Sequence, residues 1–247
     1  MGIELGSSKT PVGMRIYAIG DVHGCLAELR EMMALISQDL IRRPVRKYRI
    51  IFTGDYMDRG PRSKGVVSFL ISLCARNKKV ICLRGNHDDF LINFMADPIK
   101  HGPIFFRNGA VETLRSFGVR VDENDRSDEH LEEIRRYCRL IVNPTHLNFL
   151  SRLSYSKSYG DYFFCHAGIR PGVSIRKQSK RDLMWIREEF LSHSGLFEKV
   201  IVHGHTPQTR VDIQPNRVNI DTKCYATGTL TCLVLQDDSY RILQTGA

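Results

Sequence analysis

Three short apolar runs in the first third of the chain, each followed by a helical pattern, organise the fold. RIYAI (15–19), YRIIF (48–52) and KVICL (79–83) are rich in strand-forming residues and each leads into a glycine-containing loop. After the first run, Leu26, Leu29, Met33, Ile36 and Leu40 recur at helical spacing. SKGVVSFLISLCAR (63–76) repeats the pattern, with Ser63 as the expected N-cap after Pro61. DDFLINFMA (88–96) opens a third helix with acids in its first turn, where the helix dipole favours them. The order β-α-β-α-β-α predicts parallel strands joined by right-handed crossovers.

The pattern changes twice further on. Residues 98–153 read as mainly helical, with Ser127 capping one helix and Pro144 at the first position of another. This block is expected to cover one edge. YSKSYGDYFFCHAG then predicts two strands around a Gly160-Asp161 turn, and KVIVHGHTP a further strand with a polar ending. RVDIQ, RVNID, LTCLVLQ and YRILQ alternate as antiparallel strands do. The expected fold class is α/β, built as an α+β sandwich of two packed mixed sheets flanked by helices. A short tail over 1–13 precedes a single domain over 14–247, with the helical cover at about 98–153.

Composition narrows the partners. A net charge of +9 and a pI near 9.3 favour anions of many kinds. The basic clusters RRPVRK and RNKK flank apolar runs as solvated connections do, and no RNA-recognition or helix-turn-helix pattern stands out. No stable nucleic-acid partner is expected. The 7 cysteines are odd in number and lack C-x-x-C spacing. Most lie in apolar runs, which suits a reducing compartment and predicts a cytoplasmic protein. No apolar run is long enough to span a bilayer, and the N-terminus lacks the basic start and apolar block of a secretory signal. Gly2, with Ser7 following, matches a myristoylation pattern only weakly. Nothing in the sequence specifies an oligomeric state.

The chemistry sits where the apolar runs end. Asp21 and His23, Asp55 and Asp58, Asn86 and His87, His166, and His203 with His205 all follow such runs. One histidine there is ordinarily a hydrogen-bonded core residue; five strand ends sharing the pattern argue for a common site. Ligands of open α/β sheets bind beyond the carboxyl ends of the strands. Oxygen and nitrogen donors without thiolates suit borderline divalent metals. There are enough donors for two ions, and a carboxylate can bridge such a pair at about 3.5–4 Å separation.

The ordered motifs GDVHG (20–24), GDYMDRGP (54–61), LRGNHD (83–88), HAG (166–168) and GHTP (204–207) resemble the PPP family of serine/threonine protein phosphatases. That family lies within the calcineurin-like metallophosphoesterase superfamily, and the compact length is similar to its bacterial members. The resemblance implies two divalent metal ions, Mn²⁺ foremost, with Fe or Zn as alternatives. Asp21 and His23 would hold the first, Asp55 would bridge, and Asn86, His166 and His205 would complete the second. Arg59 would clamp phosphate, as would Arg187 in DLMWIRE, while the Asn86 amide faces substrate. His87 would act as general acid, oriented by Asp58.

The implied reaction is hydrolysis of a phosphomonoester by in-line attack of a metal-bridging hydroxide. Its substrate would be a phosphorylated protein or peptide. A second reading is a symmetrical diadenosine tetraphosphate hydrolase, a relative that also carries GDVHGC and GNHD, with Asp in the position of Asp88. The Asp of YMDRGP favours the phosphatase. A phosphodiesterase or a nucleic-acid-binding protein ranks lower. NIDTKCYATGTLT (219–231) resembles a closing strand motif of bacterial members, which usually has Gly where Lys223 stands.

Overall fold

The computed structural model describes residues 2–246. Met1 and Ala247, the outer ends of the expected tail and domain, lie outside the described residues. The first sheet has the order β10-β9-β1-β2-β3. Its strands are β1 (Met14–Ile19), β2 (Lys47–Phe52), β3 (Val80–Cys82), β9 (Thr231–Gln236) and β10 (Ser239–Gln244). The second has the order β4-β5-β6-β8-β7. It comprises β4 (Ser156–Tyr159), β5 (Tyr162–Cys165), β6 (Val200–His203), β7 (Asp212–Ile213) and β8 (Arg217–Asn219).

Strand alternation explains the layering. In β1, Ile16 and Ala18 join a core with Phe164, Val200, Val202 and Val218 of the second sheet. Tyr17 and Ile19 point the other way, into a core with Leu29, Met32 and Val66. Those belong to helices α1 (Leu26–Arg42) and α2 (Ser63–Arg76). Phe163 and Ile201 leave the far face of the second sheet to pack on Leu183 and Phe190. These come from α8 (Lys180–Trp185) and α9 (Glu188–Leu191). The result is helices, sheet, sheet, helices, as the fold class required. A strand covered on both faces must be apolar throughout, so β1 reads as a continuous run.

The parallel pairing of β1, β2 and β3 agrees with the sequence. The back of the chain departs from it. β7 with β8 and β9 with β10 are antiparallel, but β8 lies parallel to β6. Alternation along a strand reports which face is buried and carries no information on the direction of its neighbour. Ser63 does not cap α2. It is the first helical residue, and its buried hydroxyl accepts the Asp58 N–H at 3.1 Å. Helix α3 (His87–Ala96) begins one residue earlier than expected. In α1 the buried methionine is Met32 rather than Met33.

The segment read as a tail is docked. Ile3 N–H donates to Phe197 O at 2.8 Å, and Leu5 is buried in the core between the sheets. The helical block consists of α4 (Pro98–Arg107), α5 (Ala110–Phe117), α6 (Asp128–Ile141) and α7 (Pro144–Ser151). Ser127 caps α6 through the His130 N–H, and Pro144 opens α7. Leu114, Leu131 and Leu150 extend the same core as α2 and α3. Among the described residues no helix is long and apolar enough to cross a membrane.

One buried ion network ties α1 to the first sheet. Asp39 accepts from Arg15 at 3.0 Å, from Tyr17 at 2.7 Å and from Arg241 at 3.1 Å. Burial raises the Asp39 pKa, but the hydrogen bonds and charges of Arg241, Tyr17 and Arg15 reverse this and hold it below the usual carboxylate range. A lowered folded-state pKa means the stabilisation is present above the unfolded value of about 4 and is lost as pH falls through the folded value. Asp39→Asn should therefore cost about 2 kcal/mol at neutral pH, the scale of a charge-assisted bond. Urea unfolding should show that difference shrinking below about pH 4.

Candidate active site

The parallel strands of both sheets end on the same side, so their loops meet. The loop after β1 carries Asp21 and His23; that after β2 carries Asp55, Asp58 and Arg59. Asn86 immediately precedes α3 and His87 opens it, while His166 and His205 follow β5 and β6. Asp21, His23, Asp55, Asp58, Asn86, His87, His166 and His205 are all buried.

Asp55 is the centre of the arrangement. Its Oδ2 lies 3.3 Å from His166 Nε2, 3.5 Å from His23 Nε2 and 4.0 Å from His87 Nε2. Its Oδ1 accepts the His87 backbone N–H at 3.0 Å. His166 Nε2 also lies 3.0 Å from Asn86 Oδ1 and 3.2 Å from His205 Nδ1. The His205 N–H donates to Asp21 Oδ2 at 3.0 Å, joining the two sheets across the site. His23 Nδ1 faces the Met57 carbonyl at 2.7 Å, and a carbonyl can only accept. That fixes the proton on Nδ1 and leaves the Nε2 lone pair toward Asp55.

The backbone bends hard to achieve this. His23, Asp55, Asp58, Arg59 and His205 have φ of 42°, 52°, 67°, 68° and 66°, a left-handed region that costs non-glycine residues energy. Two glycines are required by close approach. A Cβ on Gly85 would fall 2.1 Å from Asp55 Oδ1, and one on Gly204 would fall 2.0 Å from Asp21 Oδ1.

Electrostatics favours cations here. Burial, then His87, lowers the His23 pKa to about 3; burial, then His166, lowers that of His205 to about 2. Neutral imidazole is the metal-binding form. Burial raises the Asp21 carboxyl, and the charges of Asp221 and Asp55 raise it further. Burial also pushes Asp55 up, but His166 and His87 hold it well below the usual range. Asp21 Oδ1 is buried without a hydrogen-bond partner. Converging lone pairs, clustered carboxylates and an orphaned acceptor fit divalent cations, and the donors are all oxygen or nitrogen.

Among the described residues three groups of side chains have ligand atoms within 4.8 Å of one another; Cys25, Glu28 and Cys224 form one, and the other two lie in this cluster. Asp55, His166 and His205 form one of these two, while His23, Asp55 and His87 form the other, so Asp55 is common to both. Asp21 stands beside them through His205.

His87 Nδ1 is 2.8 Å from Asp58 Oδ2. Burial lowers the His87 pKa, but Asp55 and Asp58 outweigh it and the net direction is upward. Arg59 Nη2 lies 3.3 Å from His87 Nε2, and Arg59 Nη1 donates to Tyr225 Oη at 2.6 Å. Arg187 Nε donates to His205 Nε2 at 3.0 Å. All ten residues singled out from the sequence therefore meet in one region. His203 is buried nearby with its ring edge-on to Phe190, as a packing residue. Arg84 supports its loop through Asp89 and Tyr155.

Sequence reasoning missed several contributors. Thr113 of α5 donates to Asp58 Oδ1 at 2.7 Å, so the helical block reaches into the site. Tyr225 packs edge-on against His23. Asp221 adds a third buried carboxylate beside Asp21 and Asp55. A signal for Asp221 existed, since Ile220-Asp221 follows the alternating strand β8 as Gly20-Asp21 follows β1. Lys223, where glycine is usual, adopts φ 58° and donates its N–H to Asp221 Oδ1.

A family model described as calcineurin-like phosphoesterase matches residues 14–236. The chain belongs to this family. It is a hydrolase of the metallophosphoesterase type, and the family's two-metal chemistry agrees with the paired ligand groups. A relative from Anoxybacillus flavithermus is named bis(5'-nucleosyl)-tetraphosphatase PrpE, asymmetrical. It is 30% identical over 235 residues, covering 87% of this chain and 88% of the relative. A symmetrical bis(5'-nucleosyl)-tetraphosphatase from Nitrosospira multiformis is 32% identical over 166 residues, 66% of this chain and 47% of that one. The chain thus spans about half the length of that symmetrical relative.

A crystal structure provisionally assigned as a diadenosine tetraphosphatase superposes with a TM-score of 0.61 at 18% identity, covering 96% of this chain and 98% of that one. A cold-active protein tyrosine phosphatase gives 0.55 at 14% identity, covering 97% and 82%, which shows the shared fold. The expectation of a phosphorylated protein or peptide partner is overturned by these relatives, whose names specify dinucleoside tetraphosphates. The motifs that suggested it describe the catalytic centre common to the superfamily, not the walls that select a substrate. The second reading from the sequence is thereby favoured over the first.

Proposed function

We propose that this metallophosphoesterase hydrolyses dinucleoside polyphosphates. The observation that carries the reading is the 30% identity to a tetraphosphatase along 87% of this chain. The site supports it chemically. Water is added across one P–O–P link: its oxygen joins phosphorus, and the bridging oxygen departs with the other phosphate.

Arg59 and Arg187 approach the cluster from different loops and can hold phosphate oxygens on either flank. Asn86 turns its amide oxygen to His166 and keeps its NH₂ for substrate. Asp21, His23, Asp55, Asn86, His166 and His205 would hold two divalent cations. When bound, these would supply Lewis acidity and a lowered pKa for water. Manganese heads the candidates, with iron and zinc, on the oxygen and nitrogen donor set. His87, whose pKa burial lowers but Asp55 and Asp58 raise on balance, stands where it can protonate or neutralise the departing oxygen. A departing nucleotide phosphate has a second pKa of about 6, so it needs that proton less than an alkoxide would.

The test is product analysis with Mn²⁺ and diadenosine tetraphosphate. We expect AMP plus ATP, because the asymmetrical relative matches this chain over most of both lengths. Two ADP would move the cut to the central link and favour the symmetrical enzymes. Intact dinucleotide alongside rapid release of phosphate from a phosphothreonine peptide would overturn the proposal.

A further inference from the structure

A cavity of about 590 Å³ opens beside the cluster, lined by Arg181, Asp182, Trp185, Arg187 and Glu188 among others. Its size falls within the roughly 300–1,000 Å³ of small-molecule sites. Trp185, the only tryptophan in the chain, stays 38% exposed there. Its ring centroid is 6.2 Å from His205 and 5.9 Å from Phe90. Two residues on, Arg187 reaches His205. The cavity and the phosphate-holding region therefore meet at the Trp185–Arg187 turn.

The charge of the lining is balanced. Arg170 pairs with Asp182 and Glu189, and Arg181 and Arg187 with Glu188 carry the remaining charges of the lining. Arg187 is the one of these that reaches the cluster, through His205. An exposed indole on the wall of a cavity whose charges cancel, next to an arginine that reaches the cluster, suits the uncharged end of a nucleotide.

We infer that this cavity is a nucleoside subsite in which one base of the substrate stacks on Trp185 while the adjoining phosphates reach Arg187. The inference rests on the proposed dinucleotide substrate and adds where one of its ends binds. An exposed indole beside buried ligands is then a binding surface, since every base has a π-face to offer it.

Trp185 can report on itself through selectively excited indole fluorescence. Titrating the full-length protein with AMP should quench or shift that emission saturably, whereas ribose 5-phosphate, which lacks a base, should not. Equal responses to both probes would overturn the subsite, as would no response at AMP concentrations that inhibit turnover. A kinetic arm compares diadenosine tetraphosphate with p-nitrophenyl phosphate. Trp185→Ala should lower kcat/KM about 10-fold more for the dinucleotide, the scale of one stacked base. Trp185→Phe should restore most of the difference. Equal losses on both substrates would mean that Trp185 only props His205, and the subsite would fall. If the unaltered enzyme leaves the dinucleotide intact, the proposed function fails, and the fluorescence titration still decides the subsite.

Discussion

Asp55→Asn should lower kcat/KM by about a thousandfold and leave the fold intact. Asp55 Oδ2 is the atom toward which His23, His87 and His166 converge, and it belongs to both candidate ion groups. The asparagine amide oxygen can still accept the His87 N–H that Asp55 Oδ1 takes at 3.0 Å, so the loop keeps its tether. The shared negative charge is what disappears. Charge stabilisation worth several kcal/mol corresponds to about three decades in rate. Steady-state kinetics and metal analysis by atomic spectroscopy check this together. The variant should retain its circular dichroism spectrum and bind fewer than two ions per chain. Near-normal turnover with two ions bound would remove Asp55 from the centre of the site.

Asp88→Ala should destabilise the protein by about 3–6 kcal/mol, because it strands three backbone donors at once. Asp88 is fully buried and sits one residue beyond His87. Its Oδ2 accepts the N–H groups of Asp55 at 3.0 Å and Gly85 at 2.8 Å, and its Oδ1 that of Tyr56 at 2.9 Å. It thus pins the loop after β2 to the loop after β3. Each unsatisfied buried group costs about 1–3 kcal/mol, and costs at neighbouring donors add less than fully. For a chain of this size the melting temperature should drop by roughly 10–20 °C. Asp88→Asn should lie between, since an amide accepts through one atom and opposes a donor with the other. Differential scanning calorimetry on the metal-free proteins measures the effect. An unchanged melting temperature for Asp88→Ala would show that the loops hold their shape without it.

These two residues mark the boundary of what was readable in advance. Asp55 stood out because it follows an apolar run and glycine, in the company of four similar endings. Asp88 was visible only as a marker separating related enzymes, and its three backbone partners were not. Thr113 gave no signal, since a threonine on an amphipathic helix has no sequence feature that points to Asp58. Tyr225 lies within the closing strand motif, but nothing in that motif pointed to its contacts with His23 and Arg59.

The parallel front of the first sheet, the helical block and the donors that gather at the strand ends were all legible in the order of the residues. Those features follow from local geometry: a strand buried on both faces must be apolar, a helix repeats every 3.6 residues, and sharp loops admit glycine. Tertiary structure alone decided that β8 runs parallel to β6, that Ser63 supports Asp58 instead of capping its helix, and that Trp185 lines a cavity beside Arg187. Each of these depends on contacts between segments distant in the chain, and periodicity along one segment cannot encode the position of another.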